Sequence, residues 1–367
     1  MGDQIKVFVE DSIMQKDEPV TAGSKILAGF RSPIQATVVK KLEEAGMQIE
    51  KRLAMDEFGI DDFFSEDDQI LASVREAAAD KDVCVLCNDI FGKVRRQAAL
   101  NGISFIKPTY GTVSRYGLVA AAASMDQIGI ACADPKKGFA VLAKIMGEDG
   151  SDGAMLGNRA AGKQEKCSCD TIRVAVPDHV WGKDKVDVKR QLEKFFDLCD
   201  ITLDYFDVYH QVLYILSSAE ICNNLNRYDG VKFGYRSANC KNLQDLYFNT
   251  RSEGFTLNTK LAIIMGANVL SQENYAPYYE KAMKIRRLIK ESIKFASYDV
   301  IALPVRMKGK SKYEQSALYA LTALAGFPSI TVPFGDSGIQ FIADTQNEAI
   351  FKKIPKIGQK GNRHENL

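Results

Sequence analysis

The chain is poor in several features that announce a chemistry. It has three histidines in 367 residues, which gives little material for an imidazole-built metal site. It has no surplus of either charge: 48 basic residues against 47 acidic leave a net charge of +1. Bulk electrostatics therefore carry no direct nucleic-acid signal. No apolar run approaches membrane length. The small-residue run Val119-Ala120-Ala121-Ala122-Ala123 is far below the roughly 20 residues that a spanning helix needs. The N-terminus carries no basic-then-apolar signal pattern, so the expected location is cytoplasmic, with no membrane contact. What is present is ordinary for a soluble globular protein, at 46% hydrophobic and 26% charged. A chain of this length can bury a large core.

Eight cysteines are scattered along the chain. Cys84 and Cys87 form a C-x-x-C, and Cys167 and Cys169 a C-x-C. Two such pairs could supply four thiolates to zinc. The plainer reading is reduced, buried cysteine, because Val83-Cys84-Val85-Leu86-Cys87 reads as a buried strand. No metal and no cofactor is expected.

Periodicity sets the fold class. Residues 32–47 carry apolar positions at helical spacing, and Gly46 closes that helix before a strand at 48–50. Residues 69–79 predict a second helix, leading into the strand at Val83. Residues 136–146 predict a third helix, 171–177 a strand, and 187–198 an amphipathic helix. Alternating helices and strands imply an α/β fold, a mixed β-sheet core covered by helices. Residues 147–166 are rich in Gly, Asp, Asn and Lys and read as a loop or linker. Residues 352–367 read as a flexible basic tail.

One stretch is more specific than composition. Lys107-Pro108-Thr109-Tyr110-Gly111-Thr112-Val113-Ser114-Arg115-Tyr116-Gly117-Leu118 runs on to Ser124-Met125-Asp126-Gln127-Ile128-Gly129. It resembles the amidase signature family, and within it the A subunits of glutamyl-tRNA amidotransferases. Further segments follow in family order: Phe8-Val9-Glu10-Asp11-Ser12-Ile13, Ser24-Lys25-Ile26-Leu27, Tyr209 to Gly230, Thr250-Arg251-Ser252-Glu253-Gly254-Phe255 and Gly266 to Ser271. The resemblance spans Phe8 to about Ile350. It implies a single, truncated amidase-like domain over 1–367, with helices on both faces of the sheet. The family's N-terminal helical region has no counterpart before the Glu10 segment.

The same resemblance marks departures at the chemistry. The family's Gly-rich segment, roughly G-S-D-T-G-G-S-I-R-x-P-A, aligns with Cys87-Asn88-Asp89-Ile90-Phe91-Gly92-Lys93-Val94-Arg95-Arg96-Gln97-Ala98. Asp89, Gly92, Arg95 and Ala98 keep register, and the nucleophilic Ser position is Lys93. The catalytic Lys position is Glu10. Counting back about two dozen residues puts the bridging Ser position at Gln69. Family geometry implies a Lys93–Glu10 ion pair. Amide cleavage by Ser needs a base, a relay and backbone donors for the oxyanion. Glu10, Gln69 and Lys93 supply no such relay.

Arg251 aligns with the family's clamp for the glutamine carboxylate, a task suited to a guanidinium. The plainer reading is an ion pair with Glu253. The Asp that would hold the α-amino group aligns with Ser316. Lys93, Arg95 and Arg96 read either as an anion site or as solvated surface charges. The resemblance with its departures implies an inactive paralogue with a binding, scaffold or regulatory role. Its expected partner is an amidotransferase B- or C-like subunit or a second copy, and an amino acid is a possible ligand through Arg251. The alternative is an active or partly active amidotransferase or amidase component using glutamine.

Overall fold

The computed structural model describes residues 5–60, 69–157 and 171–354. Ten strands form one sheet: β1 (Lys6–Glu10), β2 (Ile49–Leu53), β3 (Val83–Asn88), β4 (Ser104–Lys107), β5 (Ile128–Cys132), β6 (Arg173–Pro177), β7 (Asp197–Ile201), β8 (Val300–Pro304), β9 (Ser329–Phe334) and β10 (Ser337–Ala343). Their order is β2-β1-β3-β5-β4-β9-β10-β8-β6-β7. Parallel pairs lie toward the two edges, β1 with β2 and β3, and β6 with β7 and β8. The middle is antiparallel.

Alternation along the strands sends side chains to both faces. In β3, Cys84 and Leu86 enter one core, while Val83, Val85 and Cys87 enter another on the opposite face. Helices cover both. One face carries α1 (Thr37–Glu44), α4 (Pro135–Ile145) and α6 (Lys185–Leu192), with the short α5 (Asp178–Trp181). The other carries α2 (Ala72–Ala79), α3 (Lys93–Leu100), α7 (Tyr209–Leu225) and α12 (Ala317–Ala325). Outside these lie α8 (Leu243–Gly254), α9 (Leu257–Val269), α10 (Lys281–Ser292) and the one-turn α11 (Lys312–Gln315).

Most expected elements are present with shifted ends. The first helix starts at Thr37 because Pro33 and Ile34 form a bend, Ala36 is extended, and Ala36 N–H donates to Met14 O at 2.9 Å. Asp134 caps α4 through its side chain, accepting from Lys136 N at 3.0 Å. The helix expected over 187–198 is a correction: α6 ends at Leu192, and Asp197–Ile201 is edge strand β7, parallel to β6. Apolar spacing at Val188, Leu192 and Phe196 continues the helical period, but backbone pairing with β6 overrides it. Of residues 147–166, those described are anchored: Asp149 accepts from Thr37 Oγ1 at 2.6 Å, and Asp152 pairs with Arg115 at 2.6 Å. Most of the expected tail, from residue 355 on, lies outside the described residues.

Cys84 and Cys87, three apart on a strand, point to opposite faces and cannot bind one metal together. Cys167 and Cys169 lie outside the described residues. Among the described residues there is no cluster of metal-ligating side chains. No helix among them is long and apolar enough to cross a membrane.

The crossing of α7 and α9 depends on a glycine. A Cβ on Gly266 would overlap Ser218 O and Cys222 Cβ. Gly266→Ala is therefore expected to lower stability by about 1–3 kcal/mol through overpacking. Urea unfolding measures this, and an unchanged midpoint would refute the close packing.

Candidate functional site

The turn from β3 into α3 is built by Asp89. Its Oδ1 accepts from Gly92 N at 2.8 Å, and its Oδ2 accepts from Arg95 N at 3.2 Å and Arg95 Nε at 2.7 Å. This carboxylate caps the N-terminus of α3, where negative charge is favoured. Gly92 takes φ +94, and a Cβ there would strike the Tyr319 ring.

Arg95 corrects the sequence expectation outright. It is neither a surface charge nor a free anion binder, and its side chain is fully buried. Besides Asp89, its Nη1 donates to Thr322 Oγ1 at 2.5 Å and Gln340 Oε1 at 3.0 Å. Its Nη2 donates to Ile90 O at 3.3 Å, and the guanidinium lies 4.8 Å from the Tyr319 ring centroid. Arg96 is buried too. Lys107, from the most distinctive stretch, is also buried and donates to Asp89 O at 2.8 Å. Burial, then the neighbouring Arg95, pulls its ammonium down to about 7. Burial pushes the Asp89 carboxyl up, but Arg95 and Lys107 outweigh it and hold it below the ordinary carboxylate value.

Glu10 and Lys93 do not form the expected pair. Lys93 Nζ bonds Asp56 Oδ2. Glu10 is buried at the end of β1, its Oε2 accepting from Asn88 N at 3.3 Å. Burial raises its carboxyl to about 8, more than the Ser73 hydroxyl and the Asn88 N–H bring it down. The physical reason for the mismatch is desolvation. Ionising Glu10 means taking a charge wholly out of water, whereas the Asp56 side chain keeps 24% of its surface exposed. Lys93 also starts α3, so its charge needs a carboxylate against the helix's positive end.

Asp56 is held by a strained turn. Phe58 takes φ +52, an uncommon angle for a bulky residue. Its ring is buried and stacked on Tyr228, centroids 5.7 Å apart. Next to it, the Glu57 carboxylate is buried and accepts from Ser24 Oγ at 2.5 Å and from Thr256 N at 2.9 Å, with Thr256 and Thr259 hydroxyls completing the set. That carboxylate caps α9. On the other flank, Asn88 bridges Asp126 Oδ1 at 2.7 Å and Gln127 N at 2.9 Å. Burial raises the Asp126 carboxyl. Ser12 Oγ is buried with no hydrogen-bond partner among the described residues.

The remaining expected residues are spread out. Gln69 is exposed, its backbone carbonyl accepting from Gln97 Nε2 at 2.8 Å. Arg251 makes no pair with Glu253, which instead bonds Tyr235 and Ser237. Its Nη1 caps the end of α7, donating to Leu225 O at 2.9 Å and Tyr228 O at 3.0 Å. The hydroxyl of Ser316 is buried and donates to Tyr313 O at 2.7 Å. Arg251 and Ser316 thus have separate partners. Reasoning on sequence missed Asp56, Glu57, Asn88 and Lys107 as parts of this region. All four lie inside or beside the family-like motifs, and only their burial and partners were invisible.

The amidase family matches this chain over residues 4–64 and 77–350. The chain belongs to the amidase family. The A subunit of glutamyl-tRNA(Gln) amidotransferase from Ligilactobacillus salivarius is 32% identical over 386 residues, covering 93% of this chain and 79% of its own length. The A subunit from Bacillus cytotoxicus is 35% identical over 397 residues, covering 95% and 81%. The crystal structure of the A subunit from Thermotoga maritima superposes with a TM-score of 0.66 at 25% identity, over 96% of this chain and 81% of that one. The peptide amidase of Stenotrophomonas maltophilia shares the fold with a TM-score of 0.73 at 20% identity, over 95% and 80%.

Two measurements probe the interior of this chain. Arg95→Met leaves the buried Asp89 without its hydrogen-bonded partner, with only Lys107 nearby, and is expected to cost about 3–5 kcal/mol. A loss under about 1 kcal/mol in urea unfolding would contradict the buried pairing. The second concerns Glu10, ordinarily near 4.5 and here near 8. Between those values the unfolded chain has released the proton and the folded chain keeps it. Wild-type stability therefore falls as pH rises through that window. The advantage of Glu10→Gln over wild type should grow from pH 4.5 to about 8 and then level off. A pH-independent difference would show that Glu10 is not held protonated.

Proposed function

We propose that this member of the amidase family is a catalytically inactive relative of the amidotransferase A subunits, kept for a binding, scaffold or regulatory role. One observation carries the reading: Lys93, aligned with the nucleophile, is committed to Asp56, while Glu10, aligned with the catalytic Lys, is a buried carboxyl raised to about 8. An ion-paired ammonium has no lone pair to attack a carbonyl. A protonated carboxyl in the interior is not a base. Gln69 stands on the surface and cannot relay a proton between them.

Arg251 supports the same reading. Its Nη1 serves two backbone carbonyls, and Ser316 offers no carboxylate for an α-amino group. The clamp that the family resemblance implies for glutamine is therefore incomplete. The relatives are named as subunits, and the role proposed here is assembly with another chain, a B- or C-like subunit or a second copy.

Turnover tests the reading. Purified protein is expected to release no ammonia from glutamine and no amine from aryl amides, alone or mixed with the host's amidotransferase B and C subunits. Hydrolysis that disappears in Lys93→Ala would overturn it.

A further inference from the structure

Two cysteines face each other inside the sheet. Strands β3 and β5 are antiparallel, and their register sets Cys84 directly opposite Cys132. Residues paired in this way project to one face, with Cα atoms about 4.5–5.5 Å apart. A disulfide spans Cα separations of about 4.4–6.8 Å. Both side chains enter the same core, both are fully buried, and both are free thiols. Among the described residues no other two cysteines lie opposite each other on paired strands. Cys87 is opposite Gly129 and points to the other face.

A helix covers this pair and a cleft approaches it. A Cβ on Gly138 would lie 2.6 Å from Cys132 Sγ, so the sulfur packs on the backbone of α4. The row of side chains continues on β4, where Ser104 is opposite Cys132. Ser104 and Ala133, both next to Cys132, line a cleft of about 610 Å³ whose walls include Phe139, Ile330 and Val332. A small neutral molecule in that cleft is one residue from the Cys132 sulfur. Hydrogen bonding with the Cys84 thiol, then burial, pushes the Cys132 thiol well above its ordinary value. Thiolate is scarce there, so the pair is closed to large reagents and reacts slowly with small ones.

We infer that Cys84 and Cys132 are an oxidation site, closing to a cross-strand disulfide when a peroxide enters the cleft beside them. The peroxide gives one oxygen to the Cys132 sulfur, leaving a sulfenic acid and one water. The Cys84 sulfur then displaces that hydroxyl, which leaves as a second water with the thiol proton. Two thiols lose two electrons in all, and one peroxide is reduced. In a reducing compartment such a bond is a transient sensor.

The bond ties β3 to the strand that separates it from β4, and closes a loop holding α3, β4 and the 107–118 stretch. Closing a loop removes freedom from the unfolded chain, so the oxidised chain resists unfolding more than the reduced one. Lys93 and α3 lie on the other face of the sheet, and the bond is independent of whether the chain turns over amides.

Peptide mapping of the folded full chain after hydrogen peroxide treatment, with alkylation and no reductant, decides it. The expected product is a peptide pair joined through Cys84 and Cys132, lighter by two hydrogens than its reduced parts. The urea midpoint should rise on oxidation, and the rise should vanish when a thiol reductant is present. Cys84→Ala and Cys132→Ala should each remove both the joined peptide and the rise. Should either variant fail to fold, the wild-type map alone decides. A map in which either cysteine stays a thiol or ends as a sulfinic acid overturns the proposal. So does a disulfide from either one to another cysteine, a joined peptide that forms only when the chain is unfolded before oxidation, or a rise that persists in Cys132→Ala.

Discussion

The buried Asp89–Arg95 pair is the contact on which the rest of the chain's geometry depends. Two desolvated charges are tolerable only when each is fully hydrogen-bonded. Asp89 accepts from Gly92 and Arg95, and Arg95 spends its remaining donors on Thr322 of α12, Gln340 of β10 and carbonyls of its own turn. One guanidinium thereby ties the start of α3 to a helix and a strand more than two hundred residues downstream. The start of α3 cannot shift without unpairing these groups, so the position of Lys93 is fixed as well.

Around that fixed point, charge is distributed by access to water. Lys93 has a partner in Asp56, which reaches solvent. Glu10 has no cationic partner among the described residues and accepts from a backbone N–H instead. Lys107 is the mirror case, a cation drawn down to about 7 in the same interior. Near neutral pH the two groups differ little in their readiness to hold a proton. The region is therefore polar in composition but carries few net charges.

Much of the architecture was legible in the chain. Val83 to Cys87 announced a buried strand, and β3 is that strand, buried on both faces. The alternation of helix and strand led to a mixed sheet covered on both sides. The last part of the 187–198 segment was not legible, because a helical period at Phe196 says nothing about an open edge on β6 waiting to be paired. The site was legible as a set of positions and illegible as a set of contacts. Glu10 and Lys93 could be placed by register, but their partners depended on how much water each carboxylate keeps. Arg95 resembled its charged neighbours in the text and differs from a surface charge only in what surrounds it. Arg251 had been matched to a carboxylate, and the end of α7 supplies its acceptors.

The sheet order carries a consequence for how the chain is made. Strands β1 to β5 come from the first 132 residues and pair among themselves. Strand β4 ends up inside the sheet only because β9 joins it, with Lys107 opposite Ser329. During synthesis β4 is an open edge until roughly 220 further residues have emerged, a wait on the order of 10–40 s at ordinary translation rates. An unpaired edge over that interval is a template for the wrong neighbour. The nascent chain is thus most exposed to aggregation in its first half, and a chaperone that shields β4 would act before the second half of the protein exists.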